Sequence, residues 1–324
     1  MKKNGGLITL LLFACIFTYL LNDRFLAPVN IENLLRRTAL FSLISIGASF
    51  VITCGGIDLS IGSVVCLIGT LLPYLVVGVG IPWPVALAAL LGLAVLVGLV
   101  HGLLITRLKL QPFIVTLCGL LLYRGLARGI TGDQTQGFGM EHEGIRSLIT
   151  GSVTGFGHLP VAIPSVVFIT LVVALASGFV MTKTTFGLYI RAVGRNETAA
   201  RYSGVNTDQV KIAAYILCSL LAGFGGMLFI LDVNSAQPSD FGNFYELYAI
   251  AAAVLGGCSL KGGESSIVGV IIGATLMQVL RNAIVLLDIP TQLEFAIIGG
   301  VILAGAMTEE LVRRTARRRA QTPA

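Results

Sequence analysis

The chain has 324 residues, of which 55% are hydrophobic and only 12% charged, with a mean hydropathy of +0.90 and a formal net charge of +6. Soluble domains carry roughly a quarter charged residues, and a soluble fold of this length has too little interior to hide so much apolar surface. The composition excludes a soluble protein and describes an all-α polytopic membrane protein, in which positive charge reports topology and requires no nucleic acid.

In chain order, Met1-Lys2-Lys3 is followed by an apolar run to Leu21 with no small-x-small cleavage site, which reads as an uncleaved first span. A span needs about 20 apolar residues. The hydropathy places ten segments, near 6–21, 38–54, 61–80, 83–105, 112–130, 161–181, 212–231, 246–257, 266–287 and 291–311. Together they form a single membrane domain over 1–324, with a polar stretch at 182–211 and a basic tail at 312–324. The 39 glycines suit close helix packing in lipid. The six cysteines, at 15, 54, 66, 118, 218 and 258, have no metal-type spacing and read as small buried hydrophobes.

Between the second and third segments lies "CGGIDLSIGS", Cys54 to Ser63. Gly55, Gly56, Asp58 and Ser60 break an apolar run there. Broken helices in membranes line cavities or pack against protein, and an acid near a span is a functional candidate. Asp58 could equally cap the following helix, with Ser60 helping. The two readings are compatible. A weaker echo, "GGCSLKGGES", runs from Gly256 through Gly257 to Ser265, and both stretches read G-G-x-x-L-x-x-G. The echo is either an internal repeat or coincidence among many glycines. The long loop 131–160 is either a docking surface for an external partner or a connector.

"VGRNETAARYSGVNTDQVK", Val193 to Lys211, is polar and basic between two apolar spans. Asn196 is an N-cap, Glu197 suits the positive end of a helix dipole, and Gly204 is placed to stop the helix in a left-handed cap. The predicted helix has about two turns, too short to stand alone. Either a partner's groove holds it, with the small Ala199 and Ala200 allowing close approach and Tyr202 as anchor, or it lies on the membrane surface.

With the N-terminus inside and ten crossings, the inner pieces hold Lys2, Lys3, Arg107, Lys109, Lys183, Arg191, Arg195, Arg201, Lys211, Lys261 and the five arginines from Arg313 to Arg319. The outer loops hold Arg24, Arg36, Arg37 and Arg146. This bias puts both termini, and the Val193–Lys211 stretch, in the cytoplasm. Arg36-Arg37 is the discordant pair. Arg281 is expected to snorkel from the ninth segment, and His101 to be a packed or water-facing residue. No nucleophile elbow, phosphate loop or metal-ligand spacing occurs. Enzyme chemistry is therefore not expected.

"GGIDLSIGS", "KLQPFIVTLCGLLLYRGLARGIT", "TTFGLYIRAVGRNETAARYSGV" and "AIAAAVLGGCSLKGG" occur in this order. In these blocks the chain resembles the permease subunits of bacterial ABC importers of the ribose, xylose and galactoside type, grouped with branched-chain amino acid permeases. The resemblance implies about ten helices in the inner membrane and a second permease subunit, identical or paralogous. It also implies cytoplasmic ATPase subunits that hold the ATP and magnesium, and an extracytoplasmic solute-binding protein. The chain itself would need no cofactor. The solute implied is a monosaccharide, moved by alternating access, although family members also carry nucleosides and a furanosyl signal molecule. The resemblance further makes the loop after the sixth span the coupling helix, carried by Gly194, Asn196, Glu197, Ala199, Ala200, Tyr202 and Gly204. Other importers read E-A-A-x-x-x-G there; here "TAARYSG", Thr198 to Gly204, keeps the A-A-x-x-x-G spacing with Thr in first place. The rival readings are an ion-coupled secondary transporter, with Asp58, Glu246 and Glu294 as the available acids, and a non-transporting scaffold or receptor.

Overall fold

The computed structural model describes residues 5–140, 142–153, 162–301, 303, 304 and 307. The basic tail, Lys2, Lys3, Glu141, His158 and most of the end of the tenth predicted segment lie outside the described residues. The helices are α1 (Gly5–Leu21), α2 (Pro28–Thr53), α3 (Ile61–Pro73), α4 (Trp83–Thr106), α5 (Pro112–Thr131), α6 (Glu143–Thr150), α7 (Ser165–Lys183), α8 (Thr185–Arg195), α9 (Glu197–Tyr202), α10 (Thr207–Val233), α11 (Tyr245–Leu255) and α12 (Ile267–Leu286). A last helical stretch covers 294–301. One π-helical turn, Tyr74–Gly78, extends α3 past Pro73. Among the described residues, seven helices are long and apolar enough to cross a membrane: α2, α3 with its π turn, α4, α5, α7, α10 and α12. The protein is all-α and polytopic; α1 and α11 are shorter apolar helices.

The centre of the bundle is built on α10, which packs against α2, α3 and α4. Every residue of α3 from Ile61 to Pro73 is buried, the pattern of a helix enclosed by protein on all sides. Small residues set the approach distances. An added Cβ at Gly98 of α4 would stand 2.5 Å from the Ile216 Cα of α10, and one at Gly226 of α10 would stand 2.6 Å from the Val65 carbonyl oxygen of α3. By contrast α5 and α7 each keep an exposed apolar face, including Leu121 and Leu122 on α5 and Val172 and Leu175 on α7. Four of the cysteines, Cys54, Cys66, Cys218 and Cys258, are buried; Cys15 is half-buried and Cys118 exposed.

The first predicted loop is drawn differently by the structure. α2 starts at Pro28, ten residues before the expected 38, with proline in the first helical turn where its missing N–H costs nothing. Arg36 and Arg37 are therefore helical. Arg36 faces Asp232 near the end of α10, at 3.4 Å. Hydropathy alone stops a span at charged residues, but a helix runs through them when a packed neighbour supplies the counter-charge.

The described residues of the 131–160 loop, 131–140 and 142–153, carry more regular structure than a plain connector. β1 (Gln136–Gly137) pairs antiparallel with β4 (Ser235–Ala236), and β2 (Ser152–Val153) with β3 (Ile163–Pro164). Thr135 Oγ1 donates to Gln237 Oε1, and Gln237 Nε2 to the Asp133 carbonyl at 2.7 Å. The segment thereby clasps the connection that follows α10. A hydrogen bond from Arg128, reinforced by its charge, holds the Asp133 carboxyl below the usual carboxylate range.

Candidate transport and coupling sites

Three irregular segments and a short helix, with the end of the helix before it, hold the candidate residues. The first is the α2–α3 break. Gly55, at φ +83°, ends α2 in a left-handed cap: its N–H donates to the Ile52 carbonyl, and the Gly56 N–H to the Val51 carbonyl. Gly56 is small for a separate reason, since an added Cβ would stand 2.6 Å from the Tyr215 hydroxyl oxygen. Tyr215 sits about 12 Å along α10 from its start, so the break lies inside the bundle.

Asp58 is 2% exposed. Its Oδ1 accepts from the Ser60 N–H at 2.8 Å and the Ser60 hydroxyl at 2.6 Å, while Oδ2 has no hydrogen-bond partner among the described residues. This corrects the capping reading. The N-cap position of α3 is Ser60, which makes no side-chain cap bond, and Asp58 closes a turn onto it from two residues upstream. Around the turn, Ser63 Oγ donates to the Leu120 carbonyl at 2.7 Å, and Tyr123 Oη and His101 Nε2 share a hydrogen bond of 2.9 Å. His101 is thus a buried core residue, held through Nε2.

The second segment is the connection from α10 to α11, residues 234–244. It runs back into the bundle. The Gly242 carbonyl meets Gly62 near the start of α3, Phe241 lies against Gly69, and Cys66 Sγ donates to the Pro238 carbonyl. Arg124 of α5 donates to the carbonyls of Pro238 and Phe241. Arg124 falls inside the predicted segment 112–130, and the sequence analysis gives it no role. An arginine well inside an apolar run was the available signal, because it must find acceptors there. α11 is only 11 residues long because it starts from this inserted connection rather than from the bundle surface. Glu246, in its first turn, is buried against Gly62.

The third segment joins α11 to α12. Gly257, at φ +91°, ends α11 with its N–H on the Val254 carbonyl and the Cys258 N–H on the Ala253 carbonyl. Gly256 packs against the Gly269 backbone of α12. The sequence echo is therefore out of register. The left-handed residue is the first glycine of the Gly55-Gly56 pair and the second of the Gly256-Gly257 pair, so the two motifs do not repeat one geometry.

The short helix is α9. Asn196 Oδ1 accepts from the Ala199 N–H at 2.9 Å, as expected of an N-cap. Gly204, at φ +86°, closes the other end: its N–H donates to the Arg201 carbonyl and the Val205 N–H to the Ala200 carbonyl. Between the caps there are six helical residues, Glu197–Tyr202. Tyr202 is 89% exposed and Ala199 is exposed, whereas Ala200 is buried within the chain itself. Ala200 therefore faces inward, whereas Ala199 and Tyr202, like the capping residues Asn196 and Gly204, are exposed. The sequence reading also missed α8, an amphipathic helix that immediately precedes α9 and ends at Gly194 and Arg195.

Charged groups tie α9 to its neighbours. Glu197 pairs with Arg201 at 3.1 Å and with Lys211 of α10. Arg201 also reaches Asp208 at 3.2 Å and the Thr207 hydroxyl at 2.8 Å, and Lys109, after α4, reaches Asp208 at 3.6 Å. Partial burial raises the Glu197 pKa, but the Lys211 ammonium and Arg201 guanidinium together outweigh it and hold the carboxyl below its ordinary value.

Two residues outside these segments also find partners. Arg281 does not snorkel: its Nε lies 2.7 Å from Glu294 Oε1, and its guanidinium stands 5.0 Å from the Tyr248 ring centre. Glu294 further accepts from the Tyr248 hydroxyl at 2.9 Å. Among the described residues no three His, Cys, Asp or Glu side chains gather in a metal-binding group.

Comparison with known proteins gives one consistent result. The family described as branched-chain amino acid transport system / permease component matches residues 30–306. The chain is 35% identical to the ribose import permease protein RbsC of Escherichia coli K12, covering 95% of this chain and 94% of that one. It is 37% identical to the protein of the same name from Bacillus subtilis strain 168, over 95% and 93% of the two chains. The xylose transport system permease protein XylH of Escherichia coli K12 is 30% identical over 96% and 91%. No solved structure matches.

Proposed function

Since the chain belongs to the family of branched-chain amino acid transport system permease components, we propose that it translocates a monosaccharide by alternating access within an ATP-driven importer. It is a transport subunit and not an enzyme; ATP hydrolysis belongs to a separate chain of such importers. It is a multi-pass membrane protein, and the family implies ATPase and solute-binding partners in general.

The observation that carries the coupling role is α9: a six-residue helix, capped at both ends and tethered by ion pairs, that leaves Ala199 and Tyr202 bare. Such a helix gains nothing from exposing an aromatic ring to water, and a groove in a partner ATPase would cover it. The monosaccharide follows the names of the ribose and xylose relatives. The α2–α3 break with Asp58 and the inserted α10–α11 connection supply irregular backbone inside the bundle, where a pathway needs polar groups.

On this reading there are ten crossings: the seven long helices, α1, α11 with its inserted connection, and the stretch from 294. Both termini are cytoplasmic, a second permease subunit completes the pathway, and no cofactor resides in this chain. The ion-coupled alternative loses one of its acids, because Glu294 is engaged by Arg281 and Tyr248. The test is uptake of radiolabelled ribose, xylose and galactose by cells with and without this gene. Loss of one sugar's uptake on deletion, restored by the gene, supports the reading. Unchanged uptake of every sugar, or uptake that survives ATP depletion and follows an ion gradient, refutes it.

A further inference from the structure

Gly194, at the end of α8, stands where three separate backbones meet. A Cβ added there would overlap the Thr53 carbonyl oxygen at the end of α2 and would lie 2.5 Å from the Gly263 nitrogen in the α11–α12 loop. The Gly263 N–H donates to that same Thr53 carbonyl at 2.8 Å. A Cβ at Gly262 would lie 2.7 Å from the Gly194 carbonyl oxygen, and one at Gly263 would press on Arg195 Cγ. Thr53 immediately precedes the Cys54–Ser63 motif and Gly263 lies within the Gly256–Ser265 motif, so both Gly-rich motifs adjoin this contact. Asn196, which caps α9, follows Gly194 by two residues.

We propose that Thr53, Gly194 and Gly263 form a rigid backbone junction through which movement of α9 is passed, as one body, to both the α2–α3 break and the α11–α12 loop. Backbone in direct contact with backbone leaves no side chain to yield, so displacement of Gly194 toward Thr53 and Gly263 must carry both with it. The α8–α9 unit is then the input, and the two glycine motifs are the outputs. Gly194 acts as a positioning residue, with no contact to solute or nucleotide required. The inference rests on the coupling role proposed for α9.

The junction is tested by locking it. Arg195→Cys with Gly263→Cys places two thiols within reach of a disulfide, since the added Cβ at 263 already abuts Arg195. The variant is assembled with its ATPase and binding protein in liposomes, and sugar uptake is measured reduced and oxidised. A junction that moves as one body gives equal uptake in both states. Uptake that falls about tenfold or more on oxidation and returns with reductant shows that α8 slides against the loop, and overturns the proposal. Should the reduced variant fail to assemble, spin labels at Ser203→Cys and Leu260→Cys decide, with the exposed Cys118 changed to serine. Their separation should be the same without nucleotide and with ATP; a changed separation contradicts the junction. Loss of ATP-dependent uptake in the parent importer would instead refute the transport reading itself.

Discussion

Gly263 donates its N–H to the Thr53 carbonyl at 2.8 Å, bonding the loop after α11 to the last turn of α2 across some 210 residues of sequence. Gly194 fits against this bond because it has no side chain. Gly194→Ala should therefore displace α8 from both partners. The expected result is an importer that still binds its ATPase through the bare face of α9 and still hydrolyses ATP, but no longer raises hydrolysis in response to the loaded binding protein. Wild-type stimulation in this variant would show that the contact is incidental.

The division of α9 into an inner and an outer face gives a paired test. Ala200→Trp forces a large ring into a buried site and should cost about 1–3 kcal/mol of stability, seen as a lower melting temperature. Ala199→Trp and Tyr202→Ala change exposed positions and should leave the melting temperature near that of the parent while weakening pull-down of the ATPase. Normal pull-down by both outer-face variants would remove α9 from the interface.

Gly204 has open space around its missing side chain, so a substitution there is penalised through φ alone. A left-handed conformation costs an ordinary residue roughly 1–2 kcal/mol, more for a β-branched one. Gly204→Val should loosen the end of α9 and weaken ATPase binding, and Gly204→Asn should recover much of the loss because asparagine tolerates this conformation. Equal behaviour of the two variants in pull-down would argue against a conformational origin.

Asp58 offers a separation of charge from geometry. Both of its hydrogen bonds are accepted by Oδ1, and an asparagine oxygen can accept the same two. Asp58→Asn should keep the turn and the fold. Asp58→Ala strands the buried Ser60 groups and should cost about 1–3 kcal/mol. Uptake that survives in Asp58→Asn assigns the residue to holding the break. Uptake abolished in Asp58→Asn at unchanged stability assigns the carboxylate charge, and its unpartnered Oδ2, to the pathway.

Glu197 predicts an acid limit for the coupling segment. Its carboxyl is held below its ordinary value in the folded chain, so the ionised form contributes stability at neutral pH. That contribution begins to fade as pH falls through the ordinary value of 4.5 and is gone below the lowered one. A nitroxide at Val205→Cys should gain mobility over this acid window. In Glu197→Gln it should be mobile at pH 7 already and change little with acid. A parent line shape that does not alter on acidification contradicts the tether.

Much of the architecture was legible from hydropathy, because a helix that must face lipid advertises itself in composition. The limits of the segments were less so. α2 runs through Arg36 and Arg37 since Asp232, nearly two hundred residues away, balances a charge there. α11 is short because its connection is threaded inward and held by Arg124, a long-range relationship with no local signature. The caps on α9 were readable from Asn196 and Gly204, since capping depends on neighbours in sequence. The inward turn of Ala200, the ion pairs of Glu197 and the meeting of Gly194 with Thr53 depend on tertiary contacts. The G-G-x-x-L-x-x-G echo illustrates the converse, because identical spelling at Gly55 and Gly256 gives glycines with different duties.

The central claim, that this chain is the membrane path of an ATP-driven sugar importer whose energy enters through α9, is tested most directly by reconstitution. The chain is placed in liposomes with its ATPase and a ribose- or xylose-loaded binding protein, and uptake of labelled sugar is followed with ATP on the ATPase side. The account predicts uptake that requires ATP, the ATPase and the binding protein together, and that collapses in Tyr202→Ala while the membrane domain remains folded. Sugar uptake without ATPase or ATP, or full uptake in Tyr202→Ala, would contradict it.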